Sequence, residues 1–389
     1  MKIVFYSVVL NQHQAPIADE LWKLTNHEFV FVELINLGDM KGGVVDYSKR
    51  PYLLKAWENE ENYKVAMELC ISADCCIFSG IESLSFETER MKHNKLSFEM
   101  SERWFKKGIF NLLSPRLWKW LFEYYKGRWK YKDLYKLCCS AYCASDHYKL
   151  LTFKSKCYRW GYFTRVPESF QHTNRSGSDS HELRIMWCAR FIDWKHPEIP
   201  IKLAAKLKDY FSFEDKRQKT SYYSSFRLDM FGDGELLSRT KSLAQKLDVA
   251  DRVLFHGNMP NDIIRDSMRN HDLFLFTSDK GEGWGAVANE AMSEGCVLVG
   301  SDKIGSVPFL VEDGINGFTF KDKDVESLFE VILKVISYGE RLAVISHNGY
   351  LTMNKHWSPQ VAAQSLMTLI EGIERGDYCS IEYGPCSRI

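Results

Sequence analysis

The sequence predicts an α/β protein made of two doubly wound halves, and three observations carry that expectation. Short apolar runs rich in β-branched residues alternate with amphipathic stretches of helical period along most of the chain. The runs are continuously apolar rather than alternating, which marks parallel strands buried on both faces. One polar, turn-rich stretch, "PESFQHTNRSGSDSHE" at 167–182, lacks apolar periodicity and separates two similar series. With 389 residues the chain has room for two or three domains with sizeable cores.

The first half opens with "KIVFYSVVL", a buried strand, followed by "APIADELWKLT", a helix. "EFVFVELI" is the next strand and leads into a loop with Gly42 and Gly43. "NYKVAMELCISA" is helical, "DCCIFSG" is a strand ending at Gly80, and "KLSFEM" and "KLCCSA" extend the sheet. After the linker come strand "LRIMWCAR", helix "PIKLAAKLKDY", strand "SFRLDMFGDG" and helix "ELLSRTKSLAQKL". Then follow strand "RVLFHG", helix "NDIIRDSMRN", strand "DLFLFTS", a glycine-rich turn with its helix, and strands "CVLVGS" and "NGFTF". Two such halves facing one another would form a central cleft, and ligands of these sheets sit outside the carboxyl ends of the strands.

Bulk composition excludes several classes. Lys plus Arg and Asp plus Glu both total 51, so no net charge draws the chain to nucleic acid. Eleven cysteines, an odd number without a C-x-x-C pair, predict neither a zinc site nor a disulfide framework, and point to a reducing cytosol. The N-terminal apolar stretch is too short for a signal peptide, and no run approaches the ~18 apolar residues of a membrane span.

The chemistry of the second half gathers after its strands. Arg190 and Lys195 follow the first, Gly232, Asp233 and Gly234 the second, Gly257 the third, Glu282 the fourth, and Gly305 with Ser306 the fifth. All these loops open on one sheet edge. Two cations and the amides of a glycine-rich turn suit a diphosphate, and a carboxylate beside them suits a ribose diol. The stretch "GEGWGAVANEAMSEG" at 281–295 supplies that turn, with Gly281, Gly283 and Gly285 around Glu282 and a helix carrying Glu290. Asp233, between two glycines, reads first as a turn residue. His147, His196 and His256 read as structural or exposed, and the cysteines as packing residues.

The order of these motifs resembles the donor-binding region of retaining GT-B glycosyltransferases of family 4. "GEGWGAVANE" is similar to that family's Glu, seven residues, Glu motif, with Glu282 and Glu290 at the two positions. "ARFIDWK" resembles its "GR-L-x-x-x-K-G" element, "FGDGELL" its "GDGP" element, and "EDGINGF" its "x-x-G-x-N-G" turn. The match covers about residues 183–322 well; across 1–170 it is mostly topological. The resemblance implies two Rossmann-like domains, 1–168 on the acceptor side and 183–350 for the donor, with 351–389 crossing back onto the first. It implies that Arg190 and Lys195 hold the donor diphosphate as leaving group, that Glu282 contacts the transferred sugar, and that Glu290 holds the ribose. Backbone amides of Gly283, Trp284, Gly285 and Ala286 would complete the phosphate cradle, with Gly232 and Gly257 in neighbouring loops. It also implies a metal-independent, cofactor-free transfer from a nucleotide sugar to a glycan or polyprenyl-linked acceptor in surface-polysaccharide synthesis, in the cytoplasm.

Departures from the pattern mark where specificity differs. The glycine-rich first loop of the family reads "NQHQAP" here, so Asn11, Gln12 and His13 offer side chains in place of bare backbone, and His13 is taken as a ligand-facing candidate. No histidine follows the middle strand "KLSFEM"; Glu99, Glu102 and Arg103 are the nearest polar groups. Two rival functions are a catalytically silent sugar-nucleotide binder and a sugar-nucleotide epimerase. The four intact charged residues argue against the first, and the lack of an evident acid–base pair against the second.

The stretch from Arg103 to Lys136 carries ten Lys or Arg, two acids and four Trp. It reads either as a solvated helical cover or as a patch that meets an anionic membrane from the side.

Overall fold

Continuous apolar runs become parallel strands because each must bury both faces, and the amphipathic segments between them supply the cover. The structure, a computed structural model, describes residues 1–36, 47–170, 181–216, 222–377 and 381–389, without the side chains of 214–216. Gly42, Gly43 and residues 171–180 of the expected linker lie outside the described residues. The chain divides into two units: Met1–Arg165 with His356–Ile389, and Val166–Lys355.

In the first unit the elements are β1 (Ile3–Ser7), α1 (Ala15–Leu24), β2 (Phe29–Glu33), β3 (Leu53–Lys55), α2 (Glu60–Ser72) and β4 (Cys75–Ser79). There follow α3 (Leu84–Met91), β5 (Ser97–Ser101), α4 (Pro115–Lys126), β6 (Leu134–Cys138), α5 (Cys143–Lys149) and β7 (Cys157–Arg159). Its seven strands lie in the order β3-β2-β1-β4-β5-β6-β7, and all the pairs are parallel. The short β3 and β7 at the two edges were not anticipated. Three residues carry too little periodicity to stand out.

The second unit holds β8 (Glu182–Cys188), α6 (Glu198–Lys216), β9 (Ser225–Phe231), α7 (Leu237–Lys246), β10 (Val253–Gly257), α8 (Asn261–Arg269) and β11 (Leu273–Phe276). It continues with α9 (Val287–Ser293), β12 (Val297–Ser301), α10 (Val307–Leu310), β13 (Phe318–Phe320), α11 (Val325–Tyr338) and α12 (Leu342–Lys355). The strand order is β10-β9-β8-β11-β12-β13, again all parallel. Both expected doubly wound sheets are therefore present. The order reverses between β8 and β11, which makes that crevice the preferred ligand position on such a sheet.

The last helix, α13 (Pro359–Arg375), starts on Ser358, whose hydroxyl accepts the Val361 amide. It belongs with the first unit. The chain beyond it runs back along β7, where the Arg159 amide donates to Ser387 O and the Cys386 amide to Arg159 O.

Charge buried inside the first unit was invisible in the sequence. Arg90 is fully buried, and its guanidinium donates to the carbonyls of Cys70, Ala73, Asp74 and Leu96 and to Ser97 Oγ, tying α2, α3 and the start of β5 together. Lys136, also fully buried, donates to Glu99 Oε1 at 2.7 Å, and Trp120 Nε1 donates to the same oxygen at 2.9 Å. Arg128 lies 3.2 Å from Glu87 and 3.9 Å from Glu99. Burial raises the Glu87 carboxyl to about 8 against the opposing pull of Arg128. Glu99, considered from sequence as a polar group near a ligand, is thus an internal counter-ion.

Removing that counter-ion leaves Lys136 charged and unpaired in the interior. Glu99→Ala is expected to cost about 3–5 kcal/mol, read as a lowered urea midpoint. A loss below about 1 kcal/mol, the range of a surface pair, would overturn the assignment.

Candidate functional site

The loops at the carboxyl ends of the second sheet are held together by backbone contacts that only glycine permits. Gly232, at φ 118, lies so close to β8 that an added Cβ would stand 2.0 Å from the Ala189 carbonyl oxygen. The neighbouring Asp233 carbonyl accepts the Phe191 amide at 2.9 Å. The loop bearing Arg190 is therefore pinned from both sides, while the exposed Arg190 side chain makes no ion pair among the described residues. Asp233 bonds through Oδ1 to the Gly234 amide at 2.7 Å, which is a turn contact. Gly257, the last residue of β10, accepts the Gly232 amide at 2.8 Å.

Across the switch point, Lys195 Nζ donates to Glu282 Oε2, so the two residues that the motifs singled out form an ion pair. Ser278 Oγ donates to the same carboxylate oxygen at 3.1 Å. Lys195 also lies 4.3 Å from the centroid of the Trp194 ring. Its carbonyl accepts Thr277 Oγ1 at 2.8 Å, and Thr277 in turn accepts Trp187 Nε1 at 2.9 Å. A chain of buried hydrogen bonds thus sets the height of Lys195 above the sheet.

The turn behind Glu282 is tight for a stated reason. Gly285 has φ 82, and a Cβ there would stand 2.2 Å from the Phe276 ring. The amides of Gly283, Gly285 and Ala286 donate no hydrogen bond to the described residues. Trp284 contributes backbone only. Its ring is fully buried and its Nε1 donates to Asn289 at 2.8 Å.

Glu290 stands on the first turn of α9, buried, with Asn261 Nδ2 donating to Oε1 at 3.0 Å. Burial raises its pKa, opposed by the Asn261 bond. One turn on, Glu294 takes Arg265 and Arg269 of α8, the latter through Nε at 2.6 Å. The two glutamates are therefore different in kind: Glu294 is a structural anchor between α8 and α9, and Glu290 has a single amide partner.

Three groups escaped sequence reasoning. Cys188, the last residue of β8, has its thiol pushed up to about 12 by burial and by Glu290, against the pull of Lys195. Asp279 and Lys323 belong to a clamp centred on His196. His196 stands at φ 51, in the left-handed region, where the resembled "K-G" element has glycine. Its Nδ1 lies 3.1 Å from Glu198 and its Nε2 lies 3.3 Å from Asp279, whose Oδ2 also takes Lys323 at 2.8 Å. Burial opposes the imidazolium, but the bonds to Asp279 and Glu198 outweigh it and raise the pKa to about 9. Asp279 Oδ1 accepts the Gly281 amide at 2.7 Å, so the clamp ties the Lys195 loop to the Glu282 turn. The sequence signal was a polar residue in left-handed backbone beside the lysine, and it was read as structural.

His13 lies in the other unit, after β1, and is not among these residues. It stacks on Tyr162 with centroids 5.9 Å apart, and burial lowers its pKa to about 4. Its Nδ1 is buried without a hydrogen-bond partner.

No group of three His, Cys, Asp or Glu among the described residues is arranged to hold a metal. Residues 169–352 match the family model of glycosyl transferases group 1. That match relates the second unit to the glycosyl transferases group 1. HepE of Anabaena in complex with UDP has the same GT-B fold, with a TM-score of 0.69 at 14% identity over 96% of this chain and 100% of that one. An exopolysaccharide phosphotransferase of Streptomyces coelicolor is 30% identical over 126 residues, 31% of this chain and 13% of its own. A poly(glycerol-phosphate) alpha-glucosyltransferase of Bacillus subtilis is 25% identical over 148 residues, 38% of this chain and 22% of its own. The chain spans less than a third of the length of the curated relatives it matches.

The His196 clamp should show in a pH profile. His196 gains its proton affinity on folding, from about 6.5 to about 9. The stability it contributes is therefore complete below about pH 6.5 and lost as pH rises through about 9. His196→Gly keeps the backbone conformation and removes the charge. Its melting temperature is expected to fall less steeply than that of the wild type across this window. Parallel pH profiles would remove the clamp.

Proposed function

We propose that this protein transfers a sugar from a nucleoside-diphosphate sugar to a glycan or lipid-linked acceptor, with retention of anomeric configuration and without a metal. The observation that carries the reading is the Lys195–Glu282 pair at the β8–β11 switch point, beside three unpaired turn amides and the exposed Arg190. The cation and the carboxylate satisfy each other. A diphosphate, with more charge and more acceptor oxygens than one carboxylate, would draw Lys195 away and release Glu282 for a sugar hydroxyl. Arg190 and the amides of Gly283, Gly285 and Ala286 would share the remaining phosphate charge. Glu290, adjusted by Asn261, would accept from the ribose diol.

Transfer then needs no enzyme nucleophile. The acceptor hydroxyl oxygen bonds to the anomeric carbon as the bond from that carbon to the diphosphate oxygen breaks. The hydroxyl proton passes to the departing phosphate, and the two cations stabilise the charge that develops there. UDP is the first nucleotide to test, because the HepE structure contains it. A cytoplasmic setting accords with ten described cysteines that are all free thiols. The domain reading made from sequence, a donor domain at 183–350 and an acceptor-side domain at 1–168 with 351–389 crossing back, is retained as part of this proposal.

Lys195→Ala is expected to lower transfer by two to four decades, about 3–5 kcal/mol, the size of a lost electrostatic donor. EDTA should leave the wild-type rate unchanged. A rate restored only by added Mg²⁺ or Mn²⁺ would overturn the metal-free mechanism. Release of free sugar from the donor without acceptor separates an enzyme from a silent binder.

The two glutamates are separable by calorimetry. Glu290→Ala should weaken both free UDP and the full donor. Glu282→Ala should leave UDP binding as tight as in the wild type or tighter, since Lys195 loses its competing partner, while sugar transfer fails. Equal weakening of UDP by both substitutions would refute the assignment of Glu282 to the sugar.

A further inference from the structure

We propose that the outward face of α4 and the 3-10 turn before it, Gly108–Leu113, is a docking surface for an anionic lipid bilayer. This goes beyond the transfer reading and stands without it.

The stretch from Arg103 to Lys136 is sorted by the fold into an inside and an outside. Four of its ten bases are paired with acids, three of them largely buried and Lys106 in a partly exposed pair. Arg103 lies 3.4 Å from Asp146, Lys106 pairs with Glu102, Arg128 lies beside Glu87, and Lys136 beside Glu99. Trp120 is buried, and Trp104 packs on it with centroids 5.5 Å apart. Of these groups, Trp120, Arg128 and Lys136 are buried and hold α4 on the unit. Arg128 is thus no surface base: its side chain is buried in an ion pair.

What remains outside is both apolar and basic. Leu117, Trp120, Leu121 and Tyr124 of α4 are buried, at the spacing of one helical face. Trp118, Phe122 and Tyr125, on the other face, are exposed. An ordinary surface helix would be polar there. The preceding turn exposes Ile109, Phe110 and Leu113 at 74%, 72% and 80%. Trp118 Nε1 donates to the Leu112 carbonyl at 2.6 Å, which holds that turn against the start of α4. Trp129, just beyond the helix, is 56% exposed. Exposed apolar groups this concentrated mark an interaction surface.

Charge identifies the occupant. Lys107, Arg116, Lys119, Lys126, Lys130 and Lys132 are exposed in this stretch, against two acids, Glu123, half exposed, and Asp133, exposed beside Lys132. Lys126 Nζ lies 6.0 Å from the Phe122 ring centroid and Lys130 Nζ lies 5.7 Å from that of Trp129. Cations thus sit beside rings that can enter the acyl boundary, the arrangement of a helix lying in the lipid interface. A second copy of the chain would fit poorly, because a two-fold contact would set this basic patch against itself. Among the described residues no helix is long and apolar enough to cross a membrane, so the contact is peripheral.

The test is co-sedimentation of the full chain with phosphatidylcholine vesicles, with and without phosphatidylglycerol. The wild type should pellet with the anionic vesicles and be released by salt, as the Debye length falls from about 10 Å at 0.1 M to about 3 Å at 1 M. Changing Lys107, Lys119, Lys126 and Lys130 together to Gln should weaken partitioning by about two to three decades, near fivefold per lysine. Changing Ile109, Phe110 and Leu113 together to Ser should also abolish pelleting. All seven side chains are exposed, so circular dichroism and melting should match the wild type and show that both variants fold. Three results would overturn the proposal: no wild-type pelleting with anionic vesicles, variants that pellet like the wild type, or a wild-type dimer in gel filtration that the serine variant dissociates.

Discussion

Lys195 and Glu282 come from loops 87 positions apart in sequence, and their contact depends on β8 and β11 being neighbours in the sheet. That adjacency is the reversal in strand order, and the surrounding contacts serve to hold the two loops at the right separation. The Thr277 and Trp187 bonds set one height, the His196–Asp279–Lys323 clamp sets the spacing, and Gly232 and Gly285 allow backbones to approach where any side chain would collide. A site of this kind is rigid before a ligand arrives, which lowers the ordering cost of binding.

If the proposed donor binds at this ion pair, the pair also carries a selection. A ligand must offer each partner something better than the other, so a lone anion that displaces Glu282 from Lys195 leaves a carboxylate without its cation. A sugar nucleotide supplies a phosphate for one and hydroxyls for the other. Binding would then favour the whole donor over its fragments by a physical route that needs no additional contacts.

The first unit uses charge in the opposite manner. Its interior holds Arg90, Arg128 and Lys136, each surrounded by carbonyls or carboxylates that compensate for lost water. These buried cations fix α3, the turn around Arg128 and β6, and so support the helix whose other face is left apolar and basic toward solvent. Of two lysines thirty residues or fewer apart, one can be a core strut and another a surface contact. Only their surroundings distinguish them.

Much of the architecture was legible in order along the chain. Continuous apolar runs identified most of the strands, because parallel strands buried on both faces tolerate few polar residues. The glycines of "FGDG" and "GEGWG" identified the loops at the carboxyl edge, because those backbones must take left-handed or crowded conformations. The placement of Arg190, Lys195, Glu282 and Glu290 in one unit followed from their positions after strands of one sheet. Tertiary structure decided what local pattern does not encode. It paired Lys195 with Glu282 and turned His196 from an apparent bystander into a charged clamp. It also divided one basic, aromatic stretch between a buried network and an exposed face. The reason is the same in each case. A residue's propensity and period depend on its neighbours in sequence, whereas the protonation, pairing and exposure of a side chain depend on groups that the fold brings to it from distant positions.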